Sequence, residues 1–288
     1  MKRKLLVYIP AVILMLMIAA VAYTQNQKQP PQLKLNKIKD DLYEIEGDGG
    51  NVAVYLTNEG VILVDDKYDM DHEQIMSNIK SITNQPVKYV ISTHYHADHS
   101  GGNAKMFGEN VEIISTTQSH INIVEHKQSN APPGVVPARV TFKDETTLYL
   151  GGKEVVARFV GRGHTNGDAV VYFPALKVLH TGDLMAGNTP LIDYPGGGSL
   201  KSWPGTLDAA MKGFDVETVI PGHGAVTNKA ALLAYRNDVD KESKRVAALV
   251  KKHTSEDEIG KVMVAEFHWM PGSLQMMWSL PGFKTEYK

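Results

Sequence analysis

The 288-residue chain contains no cysteine. No disulfide can staple the fold, so the core alone must hold it. Any metal site must be built from histidine, aspartate or glutamate. Long basic runs are absent as well. Past residue 22 the balance is 27 basic against 32 acidic residues, which argues against nucleic acid as a main partner. Internal repeats are absent, so solenoid and fibrous architectures are excluded. What remains is ordinary globular composition, 43% hydrophobic and 22% charged, with length enough for one substantial core or two small ones.

The N-terminus differs from the rest. Lys2, Arg3 and Lys4 precede an apolar run from Leu5 to Ala22, which ends in the small-x-small pattern Ala20-Val21-Ala22. That layout reads as a secretory signal peptide over residues 1–22. The same run is also about as long as the ~18 residues of a spanning segment, so an uncleaved anchor stays open. Both readings put the body outside the cytoplasm, periplasmic or secreted, with the membrane touched only through this segment. Residues 23–39 begin with five Gln/Asn and two Pro and read as a linker.

From Leu42 onward β patterns dominate. Val52–Leu56 and Val61–Val64 flank Asn58-Glu59-Gly60 and predict a hairpin. Ile75, Ile79 and Ile82 predict a helix closed by Pro86. Val87–Ser92 predicts a strand running into His94, and another fits Val111–Ser115. A β-rich middle follows: Arg139–Phe142, Thr147–Leu150, Lys153–Val160, Ala169–Phe173 and Val178–His180. A helix fits Leu207–Lys212, a strand fits Val216–Ile220, and Thr227 can cap a long helix reaching Lys252. This order suggests a layered α/β sandwich. Residues 40–252 form the predicted catalytic domain. Residues 253–288 form a helical extension whose Trp269, Met276, Met277 and Trp278 suggest apolar docking.

The strongest chemical signal is His94-Tyr95-His96-Ala97-Asp98-His99. Three imidazoles and a carboxylate within six residues repel or desolvate one another without purpose unless a cation holds them. Three later residues repeat one context, a strand end beside glycine: His164 in Gly163-His164-Thr165, Asp183 in Thr181-Gly182-Asp183, and His223 in Gly222-His223-Gly224. Glycine permits the sharp turn that aims a ligand into a cavity.

The run His94-x-His96-x-Asp98-His99, followed by His164, Asp183 and His223, resembles the ligand set of the metallo-β-lactamase superfamily. The resemblance spans roughly residues 40–252 and includes Val64-Asp65 at a strand end. It implies a four-layer αββα sandwich with the site along one edge of two sheets, and two Zn2+ per chain. His94, His96 and His164 would hold one zinc and Asp98, His99 and His223 the other, with Asp183 bridging. Two metals ~3.5–4 Å apart can lower the pKa of a shared water from ~15.7 towards ~7. The resulting hydroxide would attack a carbonyl while Asp98 orients it. Thr165 and Asp65 read equally as partners of the ligands or as turn caps.

The segment Arg162–Asp168 with Ala169–Pro174, and the segment Val219–Gly224, look most like the β-lactamases of that superfamily. Three departures set the chain apart. Those enzymes carry Cys where Asp183 stands and Lys where Ala186 stands, and their apolar flap is replaced by Gly47-Asp48-Gly49-Gly50. An aspartate bridge is the habit of glyoxalase II-like thioesterases and lactonases. Opening of a cyclic amide or ester in a small-molecule substrate is the leading reading, with a lactonase or thioesterase beside it. A mononuclear iron enzyme of the persulfide dioxygenase type, and a non-catalytic metal-stabilised periplasmic protein, are the other readings. The loop from Gly187 to Ser199 is expected to shape the pocket, with Arg162, Tyr194 and Lys201 as candidate substrate contacts. The stretch Asn130–Pro137 is a second candidate rim loop.

Overall fold

The computed structural model describes residues 31–128 and 134–288. The expected signal peptide, residues 23–30 of the expected linker and part of the 130–137 rim loop lie outside the described residues. The compact unit that carries the site runs from Gln32 to Lys288.

The first sheet contains β1 (Lys34–Lys39), β2 (Leu42–Glu46), β3 (Val52–Leu56), β4 (Val61–Val64), β5 (Val87–Ile91), β6 (Glu112–Thr116) and β7 (Val140–Phe142), paired in that spatial order. β1 to β4 are antiparallel and β4 to β7 are parallel. The second sheet is built from β8 (Glu145–Leu150), β9 (Lys153–Phe159), β10 (Ala169–Phe173), β11 (Val178–His180), β12 (Thr218–Ile220) and β13 (Thr227–Asn228). There β11 and β12 are parallel neighbours and the other pairs antiparallel.

Strand composition sets the layering. β3 and β4 are apolar at nearly every position, as strands covered on both faces must be. Alternation then divides them: Ala53, Tyr55, Ile62 and Val64 face the second sheet and meet Ala157, Val171 and Phe173. Val52, Val54, Val61 and Leu63 face outward onto Ile75 and Ile79 of α1 (His72–Lys80). The helices α2 (Ala97–Ser100), α3 (Asn103–Gly108) and α4 (Thr117–Val124) follow in sequence. On the far side, Val156, Val170, Tyr172 and Val219 pack against Trp203, Leu207, Leu232 and Val246. Those four residues belong to α5 (Trp203–Met211) and α6 (Lys229–Lys251). Helix, sheet, sheet, helix is the expected four-layer αββα order.

Two local readings change and a third gains detail. Residues 34–39 form β1 rather than linker. Its residues are half-buried or exposed with none buried, and four of the six are polar, so this edge strand left little apolar alternation to read. The cap of α6 is Asn228, the last residue of β13, whose side chain accepts from the Ala231 amide at 3.1 Å; Thr227 stands one position too early. The C-terminal extension is two helices, α7 (Glu256–Phe267), opened by a Ser255–Glu258 capping box, and α8 (Leu274–Glu286). Trp269 and Phe283 are buried in the same core as α5 and α6. No helix among the described residues is long and apolar enough to cross a membrane.

Candidate metal centre

All seven expected donors come together at one edge of the two sheets. β5 leads through Ser92 and Thr93 into His94, and α2 carries Asp98 and His99. His164 lies in the loop between β9 and β10. Asp183 and His223 follow β11 and β12, whose parallel pairing (His180 opposite Ile220) brings them side by side. Gly182, at φ 50°, makes the turn that separates Asp183 from its strand.

Donor atoms cluster in three groups, each within 4.8 Å: His94, His96 and His164; Asp98, His99 and His223; and His94, His99 and Asp183. The third group takes one histidine from each of the others, so Asp183 stands between them. His94, His96, His99 and His164 are buried, while His223 and Asp98 are partly open.

The outward ring nitrogens are held by the protein. His96 Nε2 lies 3.0 Å from Asp193 Oδ2, His99 Nδ1 2.7 Å from Asp65 Oδ2, His164 Nδ1 2.7 Å from the Leu191 carbonyl, and His94 Nδ1 3.1 Å from Thr93 Oγ1. Such contacts fix ring orientation and leave the other nitrogen for a cation. Those inner nitrogens crowd together: His164 Nε2 and His96 Nδ1 are 2.8 Å apart, His99 Nε2 and His223 Nε2 3.3 Å. His94 Nε2 is buried with no hydrogen-bond partner, which costs free energy unless a ligand occupies it. Nitrogen and carboxylate donors in this number and arrangement fit a borderline divalent cation.

The charges around the cluster set the protonation of its donors. Burial holds His94 well below its ordinary value, reinforced by His99, so its ring stays neutral and able to ligate. Burial opposes ionisation of Asp98, but the His99 and His223 imidazoles outweigh it and hold the carboxyl at about 2. His223 is raised to about 9, chiefly by Asp183.

The glycine-rich stretch before the motif is a brace. Gly50 donates to the Asp98 carbonyl at 2.9 Å, and a side chain there would collide with the His99 ring. Lys67 is fully buried and donates to the carbonyls of Asp48 at 2.8 Å and Gly50 at 2.5 Å, tying that loop to the motif. Of the two residues that read either as ligand partners or as caps, Asp65 contacts His99. Thr165 instead donates to Asp168 at 2.5 Å within its own turn.

Over the cluster lies a cavity of about 530 Å3, lined among others by Tyr68, Asp98, Ala186, Leu274, Gln275 and Trp278. Arg162, Tyr194 and Lys201 do not border it; they line a separate cavity with Ser199 and Glu286. Arg162 donates to the carbonyls of Gly197 and Gly198, and the Tyr194 hydroxyl to Glu286 at 2.6 Å. Sequence reasoning missed Asp193, Lys67 and the role of Trp278 as cavity wall. A lone aspartate in a Gly/Pro loop, a lysine after a strand and a tryptophan in a Met-rich helix carry no spacing signal. Only the fold makes them neighbours of the cluster.

The family model for the metallo-beta-lactamase superfamily matches residues 45–223. The chain is 27% identical over 176 residues to metallo-beta-lactamase IND-1 of Chryseobacterium indologenes, covering 60% of this chain and 71% of that protein. It is 25% identical over 222 residues to a type 2 metallo-beta-lactamase of Bacteroides fragilis, covering 73% and 86%. Among solved structures, a metallo-beta-lactamase from Pontibacter korlensis superposes with a TM-score of 0.65 at 25% identity, over 73% of this chain and 99% of that one.

Proposed function

The chain belongs to the metallo-beta-lactamase superfamily and is a metal-dependent hydrolase, and on that premise we propose that it is an exported enzyme that opens a cyclic amide or ester with two zinc ions. The observation that carries this reading is the pair of donor triads with Asp183 between them. His94, His96 and His164 would hold one ion, Asp98, His99 and His223 the other. Zinc, when bound, lowers the pKa of water and polarises a carbonyl oxygen.

The protein's own groups do the rest. Asp98, ionised and partly open to the cavity, can orient an attacking water by accepting its hydrogen bond. Asp65 and Asp193 keep His99 and His96 in place. Tyr68, Leu274 and Trp278 narrow the cavity and exclude bulk water from one side of the substrate.

A second reading has one observation in its favour. The described residues lining the metal cavity include no lysine or arginine, so none of them offers a cationic side chain to a substrate carboxylate. That favours an uncharged lactone or a thioester over a β-lactam. Export rests on the N-terminal sequence pattern.

The test combines metal content with turnover. Purified protein is expected to hold two zincs per chain and to hydrolyse a chromogenic β-lactam, a lactone or a thioester in a chelator-sensitive way. His164→Ala should lose about one metal equivalent. One iron per chain, or turnover of none of the three, would overturn the zinc hydrolase reading.

A further inference from the structure

The wall formed by α8 separates the metal cavity from a second cavity of about 790 Å3. The two share Gln128 and Trp278. The Trp278 ring stands edge-on to His96, with centroids 5.4 Å apart, so the partition is one half-buried side chain away from a candidate metal ligand. Beyond it the lining includes Tyr95, Tyr194, Pro195, Met277 and Pro281, with Asp193, whose carboxylate is already held by Tyr95, His96 and the Gly196 amide. Both phenol hydroxyls are already spent, Tyr95 on Asp193 and Tyr194 on Glu286. Tyr95 is only 1% exposed, so the ring surface open to a ligand is that of half-buried Tyr194 and Trp278. Lys127 at the rim is matched by Glu125 at 3.0 Å. The compartment is thus suited to a neutral aromatic group and large enough for one, since ligand sites run ~300–1,000 Å3.

We propose that this compartment binds the aromatic arm of the enzyme's substrate, whose scissile carbonyl lies across Trp278 at the metal cluster. The inference rests on the hydrolase reading above and names a substrate class for it: an amide or ester carrying a neutral aryl substituent several bonds from the reacting carbonyl. The helix that closes it, Leu274–Glu286, lies beyond the matched residues 45–223, so one wall of the compartment is supplied by this chain's C-terminal segment and the rest by the matched domain. That helix is anchored to the loop below it. Gln275 donates to the Pro190 carbonyl at 2.7 Å, the Ile192 amide to Ser279 at 2.9 Å, and Ser199 to Glu286 at 2.5 Å.

The experiment uses the full zinc-loaded protein and two chromogenic cephalosporins with one nucleus and leaving group, one bearing an arylacetyl arm and one an acetyl arm. A fluorine-labelled neutral phenylacetamide, followed by 19F NMR, reports binding without turnover. Met277 is 60% exposed, so Met277→Trp fills the compartment without disturbing the core. The wild type should prefer the aryl arm in kcat/KM, Met277→Trp should cut that preference about tenfold, and the probe should bind the wild type but not the variant. Trp278→Ala should also change the preference, and Met270→Ala, remote from both cavities, should not. An unchanged preference in Met277→Trp, or equal probe binding to it, overturns the proposal. Probe binding that Met277→Trp abolishes, with neither cephalosporin hydrolysed, would sustain the compartment and count against β-lactam turnover. Turnover with no arm preference and no probe binding would remove the compartment and leave the hydrolase standing.

Discussion

Replacing Asp65 by asparagine removes one charge and one acceptor at a point where the structure allows no substitute. The Asp65 carboxylate is fully buried and accepts from the Thr93 amide at 2.7 Å and the Thr93 hydroxyl at 2.8 Å. Its Oδ2 also faces His99 Nδ1 at 2.7 Å. An asparagine can keep its oxygen on the Thr93 amide, but its NH2 then confronts the His99 N–H donor. To avoid that clash His99 must shift its proton to Nε2, the nitrogen facing His223 and Asp183, and a protonated nitrogen cannot ligate. Loss of such a supporting contact costs about 10–100-fold in metal affinity, or ~1.4–2.7 kcal/mol. Stability is the poorer readout. Burial, reinforced by repulsion from Asp65, holds the neighbouring Asp66 carboxyl well above its usual range, so neutralising Asp65 relieves Asp66 and offsets part of the loss. The assay is competition for zinc with a chromogenic chelator, with circular dichroism to verify the fold. Affinity within twofold of wild type in a folded Asp65→Asn protein would refute the reasoning.

Gly50→Ala should displace the His99 ring and lower zinc occupancy at least ~10-fold while the far-side core stays intact; elemental analysis beside near-ultraviolet circular dichroism checks it, and full occupancy would contradict the steric argument. Glu242, buried in α6, has its carboxyl pushed up from 4.5 to about 8 by burial. The folded state therefore holds the proton more tightly than the unfolded chain. This contribution favours folding at low pH and is lost as pH rises from about 4.5 to about 8, by no more than ~5 kcal/mol. Glu242→Gln should flatten the fall in melting temperature between pH 5 and pH 8, and an unchanged slope would show that the carboxyl is not the source.

Much of this molecule was legible because its signals are local. β10 and β11 begin and end where the apolar runs do, at Ala169–Phe173 and Val178–His180, since strands buried on both faces need continuous apolar residues. The hairpin of β3 and β4 was announced by its turn. What stayed hidden was polar or short. β1 is a half-buried, mostly polar edge, α2 has four residues, and α3 and α4 are brief helices whose stability comes from packing rather than periodicity. The C-terminal segment read as apolar docking, and Trp269 and Phe283 do dock. Nothing in its pattern separated those two from Trp278, which faces the cavity.

The seven donor types and their order along the chain were determined by sequence alone, because a cysteine-free metal site has few chemistries open to it and histidines cluster at strand ends for little else. Their grouping was decided by the tertiary structure. Parallel pairing of β11 with β12 sets Asp183 beside His223, and packing of the two sheets brings both against the turn after β5. The supporting shell followed the same rule. Asp193 to His96 spans 97 residues and Lys67 to Gly50 spans 17. Such contacts depend on how layers stack and where loops cross, and spacing along a chain does not encode either.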